Sequence, residues 1–220
     1  MTGKSLFYSE DIIAAPCPAN ADIQRIAARM IASGHWEEVV PGMADITVKF
    51  DPDLLAPDEA CQHFEQILGA GEKDCAVAPQ PPITLSARCD DEYAPDAAMV
   101  CNALGIAADK LHDWLSHRTY RVAMMGFQPG FAYLEDIGGG ILPVIPRLAS
   151  PRQRIAAGSI GILGNRACIY ALDGPGGWPI IGRITERLFN KSEEDNPFLL
   201  SPGQEIRFET ASPAPDRGDR

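Results

Sequence analysis

No CxxC pair, HExxH helix or HxH step occurs anywhere in this chain. Its six cysteines (Cys17, Cys61, Cys75, Cys89, Cys101, Cys168) are scattered, as are its four histidines (His35, His63, His112, His117). That pattern speaks against a disulfide framework and a zinc site, and for reduced, mostly buried thiols. Walker A and GxGxxG loops are also missing, so the chain is not expected to bind ATP alone. GxSxG is absent because Ala157, not Gly, stands two before Ser159, which removes the hydrolase-elbow signal. Basic residues are scarce: 19 Lys and Arg face 30 Asp and Glu, a net charge of −11. Such a balance sets aside nucleic acid and anionic membrane surfaces as main partners. No apolar run reaches membrane-spanning length, and Met1–Glu10 lacks the basic-then-apolar order of a secretion signal. A cytoplasmic location is expected. No internal repeat shows at any fixed period.

What the chain does have is concentrated between Gly126 and Arg183. Glycine and proline there alternate with short apolar runs, the pattern of small strands joined by specified turns in a closed or sandwiched β domain. This window also reverses the sign of the chain, with Arg147, Arg152, Arg154, Arg166 and Arg183 against Glu135, Asp136 and Asp173. Arginines gathered beside glycine loops suit an anionic group; solvated strand edges would look the same.

Upstream, Asp11–Ala15 is a strand candidate, and Pro18 and Asn20 open a helix whose apolar spacing runs to Gly34. Trp36–Pro41 and Asp45–Phe50 form a hairpin, a second helix spans Pro57–Leu68, and Ile83–Arg88 is a further strand. Asp22 and Arg25 look like surface solvation, and nothing around His35 or His63 needs an imidazole. The order β-α-β-β-α-β predicts a ferredoxin-like α/β domain over 1–89. A helical connector (90–118) with helices near Asp96–Leu104 and Asp109–Ser116 follows, then a β domain (119–210) and a disordered tail (211–220). Tyr120–Met125 leads into the β domain, and Arg187–Phe189 and Glu205–Phe208 close it.

Gln128 sits between Phe127 and Phe131 in a constrained turn. Either it points into a cavity to read an amide or carbonyl, or the turn is simply packed by its aromatics. Tyr133 could line the same cavity or belong to the core. Arg152 and Arg154 share a side if the chain is extended there, and with Arg147 place three guanidiniums within eight positions. Trp178 reads as a pocket seal, a contact with a partner or a core residue. Cys168 as a nucleophile would need a base, and no His is near it in sequence.

Taken together, PGMADITV (41–48), YRVAMMGFQPGFAYL (120–134), PRLASPRQRIAAGSIGI (146–162), IYAL (169–172), GPGGWPIIGR (174–183) and LLSPGQEIRF (199–208) resemble the B-subunit family of 5-oxoprolinase. That family is also called allophanate hydrolase subunit 1, or carboxyltransferase domain subdomain C/D, and includes a sporulation-kinase inhibitor. The resemblance implies an α+β protein, with a ferredoxin-like domain followed by a cyclophilin-like β-barrel. It implies two partners: a C-type cyclophilin-like protein (the allophanate hydrolase subunit 2 type) and an A-type β/α-barrel protein. Their complex would use ATP to open the lactam of 5-oxoproline; no cofactor or metal is expected in this chain itself. On this reading Gln128, Tyr133, Arg147, Arg152 and Arg154 bind substrate, and Phe127, Phe131, Trp178 and Arg183 form the pocket wall or a partner contact. The alternatives are a piece of a carboxyltransferase that accepts from a biotin carrier, and a histidine-kinase inhibitor. Leu115 stands where members often carry His, Asp90-Asp91-Glu92 replaces a Gly-Gly pair, and Arg166-Ala167-Cys168 replaces Gln-Thr-Gly. Ala156 and Ala171 likewise stand where members carry Pro.

Overall fold

Burial alternates along Ile12–Pro16 (β2), which sends Ile13 and Ala15 inward, and along Asp45–Lys49 (β4), which buries Ile46 and Val48. This computed structural model describes residues 7–17, 22–70, 80–138, 143–193 and 196–211. Its contacts divide the chain into two units, Met1–Pro79 and Gln80–Arg220. In the first, Phe7–Tyr8 (β1), β2, β4 and Glu38–Pro41 (β3) make a four-stranded antiparallel sheet in the order β1-β2-β4-β3.

Two helices cover that sheet's apolar face. Ile23–Ser33 (α1) begins at Asp22, whose Oδ1 accepts the Arg25 N–H at 3.2 Å, and ends at Gly34 in the left-handed region. Asp22, expected only to solvate the surface, is therefore the helix cap. Pro57–Gly69 (α2) starts on proline with Asp58 and Glu59 in its first turn, where carboxylates favour the helix dipole. Its Ala60, Phe64 and Leu68, at four-residue spacing, join Ile26, Ala27 and Met30 of α1 over Ile13, Ile46 and Val48. Pro18 and Asn20 lie outside the described residues.

One strand changes sheets relative to the expectation. Ile83–Arg88 (β5) does not complete the N-terminal sheet; the free side of β2 is held by β1. Instead β5 pairs parallel with Glu205–Thr210 (β13) and antiparallel with Ile180–Ile184 (β12). An alternating run such as ITLSAR states which residues face a core, not which core.

The second unit is a closed barrel. With Thr119–Met125 (β6), Ala132–Asp136 (β7), Ser159–Leu163 (β9) and Arg166–Ile169 (β10), its order is β10-β7-β6-β13-β5-β12-β9, closing on β10. Arg152–Ile155 (β8) and Gly174–Gly176 (β11) form a separate two-stranded ribbon. All seven barrel strands feed one cluster that includes Leu85, Val122, Leu134, Ile160, Ile169, Ile181 and Ile206. The barrel is filled by side chains, as small barrels are. Ala97–Leu104 (α3) and Leu111–Ser116 (α4), joined by a 3-10 turn at Ala108–Lys110, add Val100, Leu111 and Leu115 to the same cluster. The strand expected at Arg187–Phe189 is a single bridge, Phe189 to Phe198. Residues 212–220, expected as a tail, lie outside the described residues.

Candidate functional site

Strand alternation that sends Ala132, Leu134, Ala167 and Ile169 into the barrel turns Tyr133 and Cys168 to the other face. There they meet Tyr170, Phe131, Trp178 and Ile180, together with Ile155 from the ribbon, in a second apolar cluster. The rings form a continuous series. Phe131 lies 5.2 Å from Phe127, 4.8 Å from Tyr133 and 5.0 Å from Tyr170, and Tyr133 lies 5.9 Å from Trp178. Most of these contacts are edge-to-face, the arrangement that the ring quadrupoles favour. The aromatic residues expected around a cavity are thus brought together, on the barrel wall rather than in its interior.

The loop before β7 carries Gln128, whose side chain lies against Gly174 of the ribbon that brings Ile155 to this wall. Phe127 holds φ 70, a conformation that costs a bulky residue energy, and the residue is 60% exposed. Gln128 donates its backbone N–H to Gly126 and accepts from the N–H of Phe131 at 3.0 Å, which pins the turn. Its side chain runs against Gly174: a Cβ there would stand 2.2 Å from Gln128 Nε2. Gln128 Oε1 is buried and has no hydrogen-bond partner among the described residues. A buried amide oxygen without a donor is costly, and sites that bind a donor are where such groups persist.

The arginines do not converge. Arg152 spends its fork on Asp96, with both N–H···O distances 2.8 Å. Arg154, 81% exposed, is held by Asp173, which also accepts the Ala157 N–H. Arg183 lies against Tyr93, 5.0 Å from its ring centre. Arg147 remains with the aromatic wall: exposed itself, its charge acts on Tyr133, Tyr170 and Cys168. A single hollow lined by three forks is not formed, because internal carboxylates far off in sequence take two of them. Nothing local in the sequence singles out these carboxylates, Asp96 reading as a helix start and Asp173 as a turn residue. Tyr170 is equally unmarked, although strict alternation from Cys168 places it on the same face.

Cys168 is not a nucleophile in this setting. Burial pushes its thiol far up, against smaller opposing effects from a backbone hydrogen bond and Arg147. Cys89 is pushed up to about 12, chiefly by burial, with Asp90 and Cys101 adding to it. In the unfolded chain both thiols ionise at about pH 8.5. Stability from keeping them protonated is therefore complete below that pH and lost as pH rises toward the folded values, by up to about 1.4 kcal/mol per pH unit for each thiol. The urea midpoint is expected to stay level from about pH 6 to 8 and fall between roughly 8.5 and 10.5, with Cys89→Ser flattening part of the fall. A level midpoint throughout would contradict the burial of these thiols.

Among the described residues no three His, Cys, Asp or Glu side chains group closely enough to hold a metal ion, and no helix is long and apolar enough to cross a membrane. A filled barrel with an aromatic, amide-bearing outer wall, preceded by a small α/β unit, defines a two-unit α+β class. The chain belongs to the family described as carboxyltransferase domain, subdomain C and D, which matches residues 7–200. It is 36% identical over 191 residues to the B subunit of 5-oxoprolinase from Escherichia coli O157:H7, covering 84% of this chain and 83% of that protein. To the corresponding B subunit from Haemophilus influenzae it is 30% identical over 206 residues, covering 91% and 94%. Among solved structures, TTHA0988 superposes with a TM-score of 0.74 at 23% identity, over 93% of this chain; the chain spans 40% of that one.

Proposed function

We propose that this chain works within an ATP-dependent 5-oxoprolinase complex and that its aromatic wall holds the lactam substrate. The observation that carries the assignment of the site is the buried Oε1 of Gln128, without a partner among the described residues, in a loop held in a costly conformation. A lactam N–H donates to that oxygen, the flat ring lies against Phe131 and Tyr133, and Arg147 meets the substrate carboxylate. Arg152 is a positioning residue, fixing the ribbon through Asp96. Identities of 30–36% to 5-oxoprolinase proteins of the B type, over most of both chains, support the substrate class.

The chain offers no free nucleophile on this wall among its described residues, so ATP use and ring opening draw on partners. These are a second cyclophilin-like protein and a β/α-barrel protein. The reaction takes place in the cytoplasm. Co-expression with both partner types tests the proposal. The complex is expected to release glutamate from 5-oxoproline with ATP consumption, and omission of this chain is expected to stop it. Turnover that is undiminished without this chain, or a chain that co-purifies with a histidine kinase in place of those partners, would overturn the reading.

A further inference from the structure

Two arginines face each other where like charges should be avoided. In the β5–β12 ladder Arg88 is registered opposite Arg183, so their side chains leave neighbouring positions on one face. Both guanidiniums lie against the same ring: their central carbons are 5.4 and 5.0 Å from the centre of Tyr93. Arg88 also donates to the Tyr93 hydroxyl at 3.3 Å. Tyr93 is carried there by a turn in which its N–H and that of Ala94 both donate to the Asp90 carbonyl.

Among the described residues no carboxylate forms an ion pair with Arg88 or Arg183, though eight other pairs are present. Asp173 feels the charge of Arg183, but its oxygens are already taken by Arg154 and the Ala157 N–H. The acids at 90–92 form an exposed run. Arg183 Nε is buried and has no hydrogen-bond partner among the described residues. Its Cγ would stand 3.2 Å from a Cβ on Gly158, which borders a cleft of about 560 Å³ whose walls carry Asp173, Glu186 and Arg187 and do not include Arg88, Arg183 or Tyr93. Two half-buried forks beside one phenol, neither ion-paired to a carboxylate among the described residues, suit an added negative charge.

We propose that Arg88 and Arg183, opposed across β5 and β12 and both resting on Tyr93, form a binding site for a compact oxyanion, built from residues other than those of the aromatic wall. Phosphate and carboxylate share the chemistry: a flat or tetrahedral set of oxygens that accepts from two forks at once. This site is independent of the lactam reading above.

The test titrates the full chain at low ionic strength with inorganic phosphate in one arm and acetate in the other, following heat and the thermal midpoint. Saturable heat and a rising midpoint are expected in at least one arm, and the stronger arm identifies the oxyanion. Arg88→Gln and Arg183→Gln are each expected to weaken that response at least roughly tenfold, while Gln128→Ala leaves it unchanged. Without added anion, Arg88→Gln is expected to hold or raise the midpoint, since it removes one of two opposed like charges. If the arginines only brace Tyr93, each variant lowers the midpoint and the wild-type chain ignores both anions, which overturns the proposal. An unchanged response in Arg88→Gln overturns it equally.

Discussion

Replacing Asp96 by alanine is expected to lower the stability of the full chain by about 3 kcal/mol, with the fold of the N-terminal unit left intact. The side chain is 11% exposed and accepts three hydrogen bonds: two from Arg152 at 2.8 Å and one from the Ile180 N–H at 2.7 Å. Its own N–H donates to the Ile180 carbonyl at 3.1 Å, so the residue locks the start of α3 to β12 while Arg152 ties in the ribbon. It sits at the N-cap position of α3 yet makes no capping bond to that helix, so its loss falls on tertiary structure. Arg152, one-third exposed, can turn to water when Asp96 is removed, which keeps the cost at the lower end for a broken pair. Arg152→Ala is expected to cost about half as much, because Asp96 keeps the Ile180 N–H and gains water. In the double variant the losses should not add, and urea unfolding of all four chains gives the coupling. Additive losses would show that the pair is not a unit.

The same pair explains why the site is only half legible in the sequence. Local signals work where the physics is local: the helical spacing of Phe64 and Leu68, the glycine stop after α1, the hairpin between β3 and β4. They fail where a residue's partner lies far along the chain. Asp96 and Arg152 are 56 positions apart, and no periodicity announces a salt bridge of that span. Nor can the pattern of Ile83–Arg88 reveal that its parallel neighbour is β13, which places Ile206 beside Ile83 and Phe208 beside Leu85. The aromatic wall is legible as residues and not as a place. Tyr133 and Phe131 are expected around a cavity, but that the barrel interior is filled and the rings sit outside depends on counting alternation from Ala132 and Ala167 together.

Gly174→Ala is expected to remove most of the complex's turnover while leaving the chain folded. The new methyl would stand 2.2 Å from Gln128 Nε2 and 3.3 Å from its Cδ, with no backbone atom among its nearest neighbours. Relief comes from swinging the far end of a flexible side chain, so the expected stability change is below about 1 kcal/mol. The swing, however, takes Gln128 Oε1 away from the place where the lactam N–H must find it. Losing a buried hydrogen bond to the substrate is worth about 1–3 kcal/mol, or roughly 5- to 160-fold in kcat/KM. Gln128→Ala should lose the same amount by deleting the acceptor outright. Because both variants act on one group, the double variant should be no worse than either alone, and it relieves the clash completely. Steady-state rates of the two single variants and the double variant in the reconstituted complex decide the matter, with thermal midpoints as the control for folding. Full turnover in Gly174→Ala would mean that the placement of Gln128 is not used, and losses that multiply in the double variant would mean that the glycine serves some purpose other than making room for the amide.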